Sequence, residues 1–116
     1  MKTHISVKFQ FNEKKYNLKA IFELTPEKEV LFYKSDLYNI ADVWFDDESD
    51  EIDAFSCTWY DSEDDDLAFE VHFKGTPISE DAEVSHIIAH EIYSGNTIEE
   101  INPNYGDIIK ASIKIK

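Results

Sequence analysis

The chain contains no arginine; all 11 of its basic residues are lysine. That absence argues against planar, bidentate recognition of phosphate or carboxylate groups. It has one cysteine, Cys57, so no disulfide can form within the chain, which fits a reducing compartment. Only three glycines are present, and no P-loop, dinucleotide fingerprint or G-x-S-x-G elbow occurs. No apolar run approaches 18 residues, so no membrane-spanning helix is expected. The opening stretch MKTHISVKFQFNEKKY alternates apolar and polar residues without a continuous apolar core, unlike a signal peptide. The expected location is cytoplasmic.

What is present is one domain's length of sequence with enough apolar content for a core. The 116 residues are 42% hydrophobic, so residues 1–116 read as a single compact acidic domain. Twenty-five acidic residues set the formal charge at −14. The charge is unevenly spread: residues 1–34 carry +3, residues 35–109 carry −20 and residues 110–116 carry +3. A middle region of this sign repels nucleic acid and anionic membranes and attracts a basic protein surface. Solubility alone is the competing explanation for such a charge.

Apolar alternation marks the strands. Ile5, Val7, Phe9 and Phe11 share one face of residues 4–11, and Tyr16, Leu18, Ala20, Phe22 and Leu24 share one face of residues 16–24. These form an N-terminal hairpin with a polar connection over 12–15. Val30 to Tyr33 reads as a further strand. Residues 37–45 suit a strand or a helix. Phe55, Cys57 and Trp59 line up in the next strand, and Leu67, Phe69, Val71 and Phe73 in the one after. Residues 79–94, SEDAEVSHIIAHEIYS, read as a helix, with Ser79 as cap, acids in the first turn and a Val84/Ile87/Ile88/Ile92 stripe. Thr97 to Glu100 has capping-box spacing for a short second helical turn. Ile109, Ala111, Ile113 and Ile115 mark a last strand. The expected fold class is α+β: a mostly antiparallel sheet of about six or seven strands packed against one main helix near 79–94.

Two acidic runs carry the strongest pattern. WFDDESDEI at 44–52 and WYDSEDDDL at 59–67 share the order Trp–aromatic–Asp–x–Glu–x–Asp–acid–aliphatic. Both are expected in the turns of a meander. Neither is an EF-hand loop, because both lack the glycine at position 6 and the glutamate at position 12. Successive meander turns lie at opposite ends of a strand, so the two runs make separated acidic poles or one extended stripe. Such a stripe imitates the spaced charges of a nucleic-acid backbone. Trp44 and Trp59 flank the acids, and aromatics ringed by carboxylates are typical anchors for a basic partner. The expected partner-binding set is Trp44, Asp46, Asp47, Glu48, Asp50, Trp59, Asp61, Asp64 and Asp65.

On a helix, Glu83, His86 and His90 would fall within a sector of about 60°, a spacing suited to a metal ion. On a strand the same histidines alternate with Val84, Ile88 and Ile92 as half-buried neighbours. Cys57 points inward beside Phe55 and Trp59, and nearby carboxylates would raise its pKa, so it is a poor nucleophile. The expectation is a non-enzymatic acidic protein that binds a basic protein surface. An immunity-type or nucleic-acid-mimic inhibitor is one form of it. No cofactor, direct nucleic-acid contact or membrane contact is expected. The alternatives are a metal-binding module or small metal-dependent enzyme using Glu83, His86 and His90, and a structural or adaptor subunit whose free strand edge pairs with another chain.

Overall fold

In the computed structural model, the residues described are 1–27, 29–35, 39–45, 53–61 and 66–116. The side chains of residues 32–35 and 39–45 lie outside the description. Nine strands run in the order β1 (Thr3–Phe11), β2 (Lys14–Leu24), β3 (Val30–Ser35), β4 (Asn39–Phe45), β5 (Ala54–Tyr60), β6 (Leu67–Lys74), β7 (Glu83–Glu91), β8 (Thr97–Ile101) and β9 (Ile109–Ile115). They form two antiparallel sheets, a four-stranded β3-β2-β1-β9 and a five-stranded β4-β5-β6-β7-β8. The chain thus leaves the first sheet after β3, builds the whole second sheet as a meander, and returns to lay β9 beside β1.

The alternation of β1, β2, β5 and β6 explains the two layers. Ile5, Val7, Phe9, Phe11, Tyr16, Leu18 and Phe22 from the first sheet share one core with Phe55, Cys57, Trp59, Phe69, Val71 and Phe73 from the second. Edge-to-face aromatic contacts join the layers: Phe69 lies 5.0 Å from Phe9 and 4.6 Å from Tyr16, centroid to centroid. The Trp59 indole N–H donates to the Lys19 carbonyl at 3.1 Å, across the same core. Each large apolar side chain buried this way is worth roughly 1.5–3 kcal/mol.

The expected helix over 79–94 is a strand. After Thr76 and Ser79 turn the chain, residues 83–91 pair along the whole length of β6 as β7. The cause of the misleading period is a bulge. Phe73 pairs with Val84 and His72 with His86, so Ser85 is left over. Val84 packs against the core while Ile87 and Ala89 are buried in it. The extra residue converts a two-residue spacing into the three-residue step from Val84 to Ile87, which imitates one helical turn. The β-branched Val84, Ile87 and Ile88 themselves favour a strand. Thr97 to Glu100, expected as a helical turn, lie in strand β8. The ambiguous segment 37–45 supplies β4 over 39–45. Pairing across the full meander outweighs the capping signals at Ser79 and Thr97. The fold is two antiparallel sheets and not a sheet on a helix. Its only described helical element is the 3-10 turn Pro103–Tyr105.

Candidate functional site

The acidic runs lie where the meander puts its turns. The connection from β4 to β5 holds the first run and the connection from β5 to β6 holds the second. β5 separates the two ends by about 20 Å at ~3.3 Å per residue. Asp46, Asp47, Glu48, Asp50, Asp64 and Asp65 lie outside the described residues. Trp44 is in β4, paired with Ser56, and its side chain is likewise outside the description.

Two members of the expected binding set are structural. Trp59 has no exposed surface; its ring fills the core between the sheets and cannot reach a partner. Asp61 is also buried. Its carboxylate accepts from the Tyr16 hydroxyl at 3.2 Å and lies 3.8 Å from Lys14 Nζ. Asp61 thereby ties the β5–β6 connection to β2 of the other sheet. It was legible as an acid but not as a buried one, because nothing in a run of acids marks which one turns inward.

The structure supplies a different aromatic at that end. Glu91 and Asn96 close the turn between β7 and β8, and the Glu91 N–H donates to the Asn96 carbonyl. The adjoining Ile92 N–H donates to the Asp66 carbonyl at 2.9 Å. This bond docks the β7–β8 turn against the end of the second acidic run. Tyr93, at the tip of the turn, is 84% exposed, and Ile98 beside it on β8 is 50% exposed. Ile98 lines a shallow groove with Asn12, Lys14, Asp66 and Glu91. The signal for Tyr93 was present in YSGNT, a tyrosine beside turn residues. It was masked by assigning the segment to a helix.

A second cluster lies on the outer face of the larger sheet. Glu83, His86 and His90 are not gathered. As a strand, β7 holds His86 and His90 about 13 Å apart at ~3.3 Å per residue, beyond a shared ion, and Glu83 pairs with Lys74. Each histidine instead meets a residue of β6. His86 stacks on His72, with ring centroids 4.4 Å apart and planes 7° from parallel. His86 Nδ1 also lies 3.0 Å from Ser85 Oγ. Burial pushes the His86 imidazole below the ordinary histidine value, and His72 alongside adds to this, while Glu100 and Glu70 pull the other way. His90 Nε2 faces Glu70. Sequence reasoning missed Glu70 and His72, because only the β6–β7 register brings them to the β7 histidines. The thiol of Cys57 is buried in the core, and its position between Phe55 and Trp59 matches the inward placement expected of it.

No protein-family model, curated protein or solved structure matches the chain. Among the described residues no helix is long and apolar enough to cross a membrane.

Proposed function

We propose that this chain is a non-enzymatic, cytoplasmic binding protein that engages a basic protein surface, in the manner of an immunity-type or nucleic-acid-mimic inhibitor. The observation that carries the reading is the docking of the Tyr93 turn onto the end of the acidic 59–67 run. The Ile92–Asp66 backbone bond holds the turn that carries the exposed Tyr93 against Asp66, and Glu91 opens the same turn. Aromatics of this kind anchor interfaces, and the surrounding charge steers the partner in.

The distribution of charge supports it. Segments 1–35 and 109–116, which build the four-stranded sheet, carry +6, and residues 36–108, which build the five-stranded sheet, carry −20. The charge asymmetry along the chain becomes an asymmetry between two sheets. The mechanism is occupancy: carboxylates meet lysine or arginine of the partner while Tyr93 packs into its surface.

The test starts with the immobilised protein, washed at low salt and eluted with a salt step. A single near-stoichiometric basic protein released by about 0.5 M salt, where the Debye length is well under 10 Å, is the expected result. Against that partner, the combined D46N, D47N, D64N and D65N variant is expected to associate at least about tenfold more slowly, with a flatter salt dependence. Y93A is expected to speed dissociation. Unchanged rates in both variants, or elution of only a smear of abundant cationic proteins, would sink the reading.

Of the two edges open to the adaptor alternative, the N-terminal hairpin and the Lys-bearing C-terminal strand, only the second, β9, is an outer strand. The N-terminal hairpin has none free, because β2 is covered by β3 and β1 by β9. The outer strands are β3 and β9 in one sheet and β4 and β8 in the other.

A further inference from the structure

The outer face of the four-stranded sheet carries the opposite charge to the chain as a whole. β1 and β9 contain no aspartate or glutamate, and β2 contains only Glu23, whose carboxylate lies 3.9 Å from the N-terminal ammonium. Ile5, Val7, Phe9 and Ile113 point into the core, so by alternation His4, Ser6, Lys8, Lys110, Ser112 and Lys114 point the other way. Lys15 and Lys19 join them from β2, opposite Gln10 and Ser6.

The strand register gathers part of this face into one place. Ser6 on β1 is directly opposite Ser112 on β9 and Lys19 on β2. One row along, His4 is opposite Lys114 and Ile21. Cβ atoms directly opposite across strands are about 4.5–5.5 Å apart, and successive rows of one face are ~6.6 Å apart. These residues line a shallow groove of about 290 Å3. Its polar groups are hydroxyls, ammonium groups and an imidazole, with no carboxylate among them. Ser6 Oγ lies 3.3 Å from Asn17 Oδ1, longer than the ~2.5–3.0 Å usual for a hydroxyl donor, so that bond is readily exchanged for a better acceptor.

A phosphoryl group matches this set. A phosphomonoester carries about −1.5 to −2 charge at neutral pH on three acceptor oxygens, more charge and more acceptors than a carboxylate. Seated over the Ser6–Ser112 pair, it has both hydroxyls beneath it, Lys19 on one flank and Lys114 with His4 on the next row. Lysine binds phosphate as a point charge, so the lack of arginine is no bar. Nor is the net negative charge. In 0.15 M salt the Debye length is ~8 Å, and the other sheet packs ~10 Å away on the far side of the core. The volume lies at the small end of the ~300–1,000 Å3 of ligand pockets, which favours a small ester over an extended polyanion. We propose that Ser6, Lys19, Ser112 and Lys114, with His4 beside them, form a binding site for the phosphoryl group of a small phosphomonoester. The site lies on the opposite sheet from the acidic turns and stands whether or not they engage a basic partner.

The test titrates the 15N-labelled full chain at neutral pH, with ionic strength held constant by NaCl. The ligands are inorganic phosphate, methyl phosphate, acetate and a short single-stranded oligonucleotide. Saturable shifts of the amides of residues 4–6, 19–21 and 112–114 are expected with both phosphates, and none with acetate. The expected Kd for methyl phosphate is about 1 mM or tighter. The combined K19Q and K114Q variant is expected to bind at least about tenfold more weakly, and S6A with S112A about threefold to tenfold. K74Q, on the other sheet, is expected to change nothing. Lys19, Ser112 and Lys114 are exposed, and K19Q keeps the backbone carbonyl that Trp59 uses; circular dichroism checks that each variant is folded. Absence of saturation by about 10 mM phosphate overturns the proposal. So do equal shifts from acetate, binding that survives K19Q with K114Q, or binding that K74Q weakens as much. Tighter binding of the oligonucleotide than of methyl phosphate also overturns it, because the face would then follow a polyanion backbone.

Discussion

Trp59 donates its indole N–H to Lys19 and exposes nothing, while Tyr93 exposes most of its ring. The two residues have similar chemistry and sit near similar acids, but Trp59 faces the core from β5 while Tyr93 stands in the β7–β8 turn. Trp59→Phe removes the indole donor and puts a smaller ring into a fully buried site. The expected cost is about 2–4 kcal/mol, combining a lost hydrogen bond with a partly filled cavity. Tyr93→Ala is expected to change stability by less than ~0.5 kcal/mol, as an exposed turn residue. Urea unfolding midpoints of the two variants check both numbers. If Tyr93→Ala proves the costlier, the assignment of Trp59 to the core and Tyr93 to the surface is reversed. The core faces of β1, β2, β5 and β6 were legible because each alternates without interruption. Asp61 was not, because its burial depends on Tyr16 and Lys14, residues 45 and 47 positions earlier in the chain.

At the scale of elements, the hairpin joining β1 and β2 is tighter than its polar sequence suggested. Phe11 pairs with Lys14, so the turn is the two residues Asn12 and Glu13 and not the four from 12 to 15. Both have positive φ, 51° and 65°, the geometry whose twist matches antiparallel strands. Asn accepts it readily; Glu does not, and the left-handed conformation costs a non-glycine residue roughly 1–2 kcal/mol. Glu13→Gly is expected to raise stability by about 1 kcal/mol, measurable as a higher denaturation midpoint with an unchanged slope. A loss of stability would mean that the Glu13 side chain holds the turn. Gly75 shows the opposite case. At φ +117°, an added Cβ would sit 3.0 Å from Ala82 Cα, so glycine is required there. The strand β7 was the element hardest to read. A single bulge at Ser85 broke the alternation that identified the others, and a run of acids after a serine supplied false capping cues.

At the scale of the whole molecule, self-repulsion among the −20 of residues 36–108 opposes their attraction to the +6 carried by residues 1–35 and 109–116. The molecule's principal extents are 39 × 28 × 26 Å. At 0.01 M salt the Debye length is ~30 Å and every acid feels the others; at 0.15 M it is ~8 Å and only neighbours do. The melting temperature is therefore expected to rise as NaCl increases over that range, since screening relieves self-repulsion. Calorimetry across the series checks it. A falling melting temperature would show instead that attraction between the basic and acidic sheets dominates.

The sequence by itself determined the inward faces of the hairpin and the meander, the inward position of Cys57, and the division of charge along the chain. Those properties follow from residue type and a period of two, both of which are local. Tertiary structure alone decided that 79–94 pairs as a strand, because the long β6 ladder outweighs local helical cues. It also decided that Asp61 and Trp59 face the other sheet, and that Glu70 and His90 meet. Glu70 and His90 are twenty positions apart in the chain, and only the register of β6 against β7 brings them within contact.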